Sequence, residues 1–302
     1  MIEQREQEYL NLKSQYENAS GGEKKRLQRE MEDLLKKAKS ELEPFDRVYL
    51  ARHKERPKAD EFIDHLIREK VYLSGDRLFG EDYCLIGGIG KFNGRSVTFL
   101  GTKKGRSMEE NINTNFGMPN PEGYRKAQRL MNQANKFGRP IITFIDTSGA
   151  YPGLGAEERG QGEAIARSIM NSFSLKVPII SVVTGEGGSG GALALGVGNK
   201  VLLFENSVYS ILSPEGFSSI IWKDASKARD ASKIMKLTAQ DLFDLKVIDR
   251  VIEEDISFLK EDFSMNMNRL GEALEEELKG LEKVSGNRLQ SDRVEKFRRI
   301  GR

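Results

Sequence analysis

The sequence predicts an α/β protein with a parallel sheet at its centre, and three observations support this. Two apolar runs, residues 140–145 and 178–183, each end in a glycine-rich turn and each lead into a helical segment. Successive strand, turn and helix units need crossover connections, which are right-handed and leave the strands parallel. The third observation is Asn93-Gly94, a two-residue hairpin signal between the alternating strand candidates 84–92 and 95–100.

Residues 1–43 are highly charged, with Leu12 and Tyr16, then Leu27, Met31, Leu34, Leu35, Ala38 and Leu42 at helical spacing. Gly21-Gly22 interrupts the pattern, predicting two helices in a hairpin, and the apolar stripe predicts an arm that docks a partner. Pro44 and Pro57 bracket a connector carrying His53, and a short helix is expected over 59–68. Asn120 and Pro121 start a longer helix that Gly138 ends, with Tyr124, Ala127, Leu130, Met131, Ala134 and Phe137 on its apolar face. Helices are expected over 156–173 and 190–197, after the two glycine turns. A strand at 200–204 follows, then one at 209–212, and the turn Ser213-Pro214-Glu215-Gly216. From Ala225 the chain reads as mostly helical with a short strand at 247–252, and the basic segment 288–302 is expected to fray. Three parts result: the hairpin 1–43, a main domain 44–256, and a helical extension 257–302.

Formal net charge is +2, from 48 Lys+Arg against 46 Asp+Glu, which gives no bulk attraction for nucleic acid. One cysteine, Cys84, and two histidines, His53 and His65, exclude a disulfide framework and a cysteine-rich zinc site within the chain. Cys84 heads a strand and reads as core. No apolar stretch is long enough to span a bilayer and none forms a signal core, so no membrane partner is expected and the expected compartment is the cytoplasm.

The run Gly185-Glu186-Gly187-Gly188-Ser189-Gly190-Gly191 matches several signatures. Its last five residues fit the nucleophile elbow of serine hydrolases, but both histidines precede Ser189, against the chain order that fold uses. It also fits the dinucleotide fingerprint, with Glu205 about 20 residues on as a ribose-binding acid. That alternative stays open, although it leaves the other glycine turn unexplained. A P-loop is excluded, because no Gly-Lys-Ser/Thr follows. A fourth reading uses both turns. Glycines let backbone approach a ligand, and helix N-termini present unpaired N–H groups. Two neighbouring turns can aim such groups at one cleft and stabilise negative charge developing on oxygen.

Motifs along the chain carry a family resemblance. Asp146-Thr147-Ser148-Gly149-Ala150-Tyr151-Pro152-Gly153, Ala156-Glu157-Glu158-Arg159-Gly160-Gln161, the glycine run itself, and Tyr209-Ser210 with Ser213-Pro214-Glu215-Gly216 resemble the alpha subunit of bacterial acetyl-CoA carboxylase carboxyltransferase. Asn115-Phe116-Gly117-Met118, Pro121-Glu122-Gly123-Tyr124-Arg125-Lys126-Ala127 and Gly75-Asp76-Arg77 add to it, over roughly residues 44–252. Ser148 stands where the family often has proline.

The resemblance implies a crotonase-like fold of repeated β-β-α units, with an N-terminal helical hairpin and a helical C-terminal region. It implies transfer of a carboxyl group from carboxybiotin, held on a biotin carboxyl carrier protein, to acetyl-CoA. Malonyl-CoA results, the first committed product of fatty acid synthesis. A beta subunit is implied as partner, in an alpha2beta2 assembly, with zinc in the beta chain and none here. ATP is used elsewhere in the complex, by biotin carboxylase. The amides of Gly187, Gly188, Ser189, Gly190 and Gly191 are expected to hold an oxyanion, the ureido oxygen of biotin, with Gly149 and Ala150 as the adjoining donor. Gly185, Glu186, Tyr151, Ser213, Glu215 and Gly216 are expected to contact substrate or cofactor.

Lys103, Lys104 and Arg106 read as a solvated face rather than a contact for CoA phosphates. The alternative function is a crotonase-fold hydratase or isomerase acting alone, with Glu186 as its acid/base. A scaffold docking through residues 1–43 is a further reading.

Overall fold

The computed structural model describes residues 2–301, with Glu261 and Asp262 described by their backbone alone. Its centre is an eight-stranded sheet. The strands are β1 (Arg68–Tyr72), β2 (Leu85–Phe92), β3 (Arg95–Thr102), β4 (Ile141–Thr147), β5 (Ile179–Gly188), β6 (Lys200–Phe204), β7 (Val208–Ser210) and β8 (Arg250–Ile252). They lie in the order β1-β2-β3-β4-β5-β6-β8, with β7 paired to β5 off this path.

β2 and β3 form the predicted hairpin. Asn93 and Gly94 both take positive φ, 46° and 81°, as a tight turn matching the strand twist requires. From β3 onward every pairing between these strands is parallel, and helices Pro121–Lys136, Gln161–Ser174 and Ser189–Gly196 supply crossovers. Alternation along the strands divides the core in two. Ile142, Phe144, Ile180, Val182, Leu202 and Phe204 pack with Phe62 and helix Ser264–Leu281. Ile141, Ile145, Ile179, Val183, Val201 and Leu203 pack on the other side with helix Pro121–Lys136. Burial on both faces explains why these strands read as unbroken apolar runs.

Helices Ile2–Asn18 and Gly21–Ser40 form the N-terminal hairpin. Its Ile2, Tyr9, Leu34 and Ala38 pack with Leu50, Ile256 and Phe258, so the stripe that suggested an external docking arm is covered by the chain's own body.

Local chemistry revises several expectations. The connector after Pro44 is mostly helix, Pro44–Arg52, because proline in the first turn gives up no needed N–H. The helix expected over 156–173 is two, Leu154–Glu158 and Gln161–Ser174, parted at Gly160 with φ 83°. Residues 213–216 are a helix start: the Ser213 hydroxyl accepts the Gly216 N–H at 3.0 Å and caps helix Pro214–Trp222. The basic tail is a docked helix, Gly286–Arg299, rather than a frayed segment. Fully buried Arg293 anchors it, donating to the carbonyls of Ser172, Leu175 and Val177 and to Asn199 Oδ1.

Candidate active site

β5 continues past its apolar run to Gly188, so Gly185, Glu186, Gly187 and Gly188 lie in strand rather than in a turn. Ile145 stands opposite Val183 and Thr147 opposite Gly187, which leaves Thr184, Gly185 and Glu186 facing Asp146 alone. Such a bulge bends the strand and frees backbone groups that must find partners. Side chains supply them. Asp146 Oδ1 accepts the Glu186 N–H at 3.0 Å, and Arg56 Nε donates to the Thr184 carbonyl. Gly185 has no Cβ, and the Asp146 carboxylate occupies that space. Beyond the bulge, residues 186–188 pair with β7.

The strand ends at Gly188, and helix Ser189–Gly196 begins at Ser189, whose φ is 54°. The turn after β4 packs directly against this junction. A Cβ on Gly188 would overlap the Ser148 carbonyl oxygen, and one on Gly191 would overlap the Ala150 nitrogen. Only glycine lets two backbones come this close. Ser148, Gly149, Ala150, Ser189, Gly190 and Gly191 therefore line one cleft of about 640 Å³, together with Arg52, Ile165, Glu186, Ile211, Leu212 and Ser213. The first turn of the helix leaves its N–H groups without intrahelical acceptors, and the helix dipole favours negative charge there.

The charged groups around the cleft are paired. Arg52 donates to Glu186 Oε1 through Nε at 3.0 Å and Nη2 at 2.6 Å, and to Glu215 Oε1 through Nη1 at 2.9 Å. Lys104 Nζ holds Asp146 Oδ1 at 2.7 Å and lies 3.8 Å from Glu186 Oε2. Burial pushes the Asp146 carboxyl up, but Lys104, Lys58 and the Glu186 N–H outweigh it and hold its pKa below the ordinary value. Burial likewise raises Glu215, and its own backbone N–H and Arg52 bring it below the ordinary value.

The family model described as "Acetyl co-enzyme A carboxylase carboxyltransferase-like" matches residues 1–301. The chain belongs to that family. It is 53% identical over 262 residues to the acetyl-coenzyme A carboxylase carboxyl transferase subunit alpha of Clostridium acetobutylicum, covering 87% of this chain and 96% of the relative. It is 50% identical over 275 residues to the subunit of the same name in Staphylococcus carnosus, covering 91% and 87%. A Natranaerobius thermophilus protein named for subunits beta/alpha is 52% identical over 287 residues, 95% of this chain and 47% of that longer one. Among solved structures, a Pseudomonas malonate decarboxylase hetero-tetramer in complex with coenzyme A superposes with a TM-score of 0.59 at 16% identity, over 72% of this chain and 86% of that one. The transcarboxylase 12S core superposes at 0.57 and 17% identity, over 70% and 41%, and both likenesses share the carboxyltransferase, crotonase-like fold.

Within this carboxyltransferase-family chain, seven of the residues expected at the site line the cleft: Gly149, Ala150, Glu186, Ser189, Gly190, Gly191 and Ser213. Gly185, Gly187 and Gly188 lie beneath it in β5. Gly149 already donates its N–H to Thr147 Oγ1 at 3.1 Å. The Gly216 N–H is used by the Ser213 cap, and the Tyr151 N–H goes to the Pro119 carbonyl at 3.0 Å. Lys104 belongs to the site's support rather than to a solvated face. Arg52 was missed altogether, because nothing near it in sequence marks it.

The decoys fail for physical reasons. Ser189 does take an elbow-like conformation, but no histidine lines the cleft, and His53 is engaged by Glu6 at 3.1 Å. The dinucleotide reading needs Gly185 and Gly187 in a turn, whereas both are strand. Its acid, Glu205, pairs with Lys39 at 3.1 Å. Among the described residues, no group of three or more His, Cys, Asp or Glu is placed to hold a metal ion, and no helix is long and apolar enough to cross a membrane.

Proposed function

We propose that this chain is the alpha half of a two-subunit acetyl-CoA carboxyltransferase, moving a carboxyl group from carboxybiotin on a carrier protein to acetyl-CoA to give malonyl-CoA. One observation carries the reading: the turn 148–150 and the strand-to-helix junction 188–191 meet backbone to backbone in a cleft whose two ionisable side chains, Arg52 and Glu186, are bonded to each other. Such a site offers amides rather than a side-chain acid or base, which suits charge developing on oxygen. Carboxybiotin, when bound, supplies the carboxyl group and a ureido oxygen able to carry that charge.

In this reading the N–H groups of Ser189, Gly190 and Gly191 hold that oxygen, and Gly187 and Gly188 set the approach of the two turns. Ala150 supplies the adjoining donor in place of Gly149, whose N–H is committed to Thr147. Glu186 and Ser213 border the bound groups. Gly185, Tyr151, Glu215 and Gly216 act from behind the lining, by shaping β5 and the helix at Pro214. Glu186 takes two N–H bonds from Arg52, which argues against the stand-alone hydratase reading that needs it as an exchangeable acid.

The joined beta/alpha relative supports a beta subunit as the partner, and we extend this to an alpha2beta2 assembly with zinc in the beta chain. The biotin carboxyl carrier protein and biotin carboxylase complete the proposed complex, in the cytoplasm. Functionally, residues 44–256 carry the transferase fold, while 1–43 and 257–302 brace it.

The test is the reverse reaction, malonyl-CoA with biocytin, run with this chain alone, with a beta subunit alone, and with both. Acetyl-CoA formed only by the mixture is the expected result. An inactive mixture that nonetheless assembles sinks the reading.

A further inference from the structure

We infer that Arg52 is a positioning residue of the cleft, and that the N-terminal hairpin sets it through Glu6. The inference rests on the carboxyltransferase reading above.

Arg52 is the last residue of helix Pro44–Arg52. Its guanidinium joins two walls of the cleft: Glu186 lies in β5 just before the glycine junction, and Glu215 lies in the first turn of helix Pro214–Trp222. A planar fork can hold both carboxylates in fixed geometry, which a lysine ammonium does not reproduce. The spacing between the amides at Ser189 and the Ser213 side of the cleft therefore depends on where this one guanidinium stands.

The residues on either side of Arg52 along that stretch are held from elsewhere. Tyr49 Oη donates to Glu6 Oε2 at 2.5 Å, and His53 Nε2 lies 3.1 Å from Glu6 Oε1. Glu6 belongs to helix Ile2–Asn18 and is 6% exposed, and His53 is 7% exposed. Apolar contacts dock the hairpin, but they are non-directional and tolerate sliding. The two bonds to Glu6 are directional and lie at the Arg52 end of the helix, so together with those of Arg47 to the Glu205 carbonyl and Asn206 Oδ1 they fix its rotation and axial position. A buried carboxylate in this place is costly for simple docking and is explained by that positioning task.

The experiment uses the assembled complex with its beta subunit and follows transfer of the carboxyl group from malonyl-CoA to biocytin, read as acetyl-CoA formed, alongside thermal melting. Arg52→Gln is expected to lower kcat about 10²-fold, the scale of a misplaced site, with the KM for malonyl-CoA little changed. Arg52→Lys is expected not to restore the rate. Glu6→Gln is expected to lower kcat about ten-fold, and the double variant to be no slower than Arg52→Gln alone, because both act through one element. Multiplicative losses in the double variant, or full activity in Arg52→Lys, would overturn the proposal.

Glu215→Gln guards against misfolding, since its side chain is 41% exposed and its loss spares the core. It is expected to reduce kcat several-fold at constant KM and unchanged melting temperature; an unchanged kcat counts against the proposal. An inactive wild-type complex would instead refute the functional reading on which the proposal stands.

Discussion

Asp146 accepts the Glu186 N–H at 3.0 Å with the same carboxylate oxygen that holds Lys104 Nζ at 2.7 Å. One buried side chain thus closes the bulge in β5 and neutralises the cation beside it. Asp146→Ala leaves the Glu186 N–H without this partner and the half-buried Lys104 ammonium with only Glu186, 3.8 Å away, and an unsatisfied buried donor costs about 1–3 kcal/mol. The expected result is a lower urea midpoint with an unchanged slope. Asp146→Asn keeps an acceptor for the N–H and is expected to lose less.

The amide reading of the cleft separates two substitutions at Gly190. A Cβ there meets only Ile165, at 3.4 Å, so Gly190→Ala is tolerated and keeps the N–H. Gly190→Pro removes the N–H and also restricts Ser189, whose φ is 54°, so its rate is read beside its melting temperature. Loss of one oxyanion donor costs roughly 10²–10³ in rate, and this is the drop in kcat expected for proline but not for alanine. Ser189→Ala also keeps its N–H and is expected to behave like Gly190→Ala. Steady-state rates of the subunit mixture check all three.

Arg293 makes the C-terminal helix part of the fold. Burial lowers its pKa to about 10, which leaves it charged at neutral pH. Arg293→Leu strands the carbonyls of Ser172, Leu175 and Val177, while the Asn199 amide oxygen keeps the Ile179 N–H. Each unsatisfied buried group costs about 1–3 kcal/mol, so a loss of about 3 kcal/mol or more is expected in chemical denaturation.

Asp76 links stability to acid. Burial pushes its carboxyl up, but the N–H groups of Leu78, Phe79 and Gly80 and the Arg125 guanidinium prevail and hold its pKa at about 2, below the ordinary 3.8. Because the folded value is depressed, the ionised group contributes stability above pH 3.8 that is lost as pH falls towards 2. The stability gap between wild type and Asp76→Ala is therefore expected to narrow between pH 5 and pH 3. Urea midpoints across that range measure it.

Much of the fold was legible because its signals are local. Asn93-Gly94 specifies a hairpin by backbone twist, and Asn120-Pro121 starts a helix because proline suits its first turn. The two apolar runs report strands buried on both faces. The errors came where a distant partner overrides local chemistry. Residues 185–188 look like a turn because they are glycine-rich, yet they are strand, because Asp146 and Arg56 satisfy the bulge. The tail looks frayed because it is basic, yet Arg293 finds four buried acceptors.

By itself, the sequence determined that two glycine-rich segments lead from strands into helices, which is what the proposal of a site built from backbone amides starts from. That followed from residue types and short spacings, which act within a few bonds. Tertiary structure alone decided that the two turns touch, that the Gly149 N–H is already taken, and that Arg52 reaches Glu186 across 134 residues of chain. Contacts of that kind arise from how the strands and crossovers pack. No local pattern encodes which distant carboxylate a given arginine will meet.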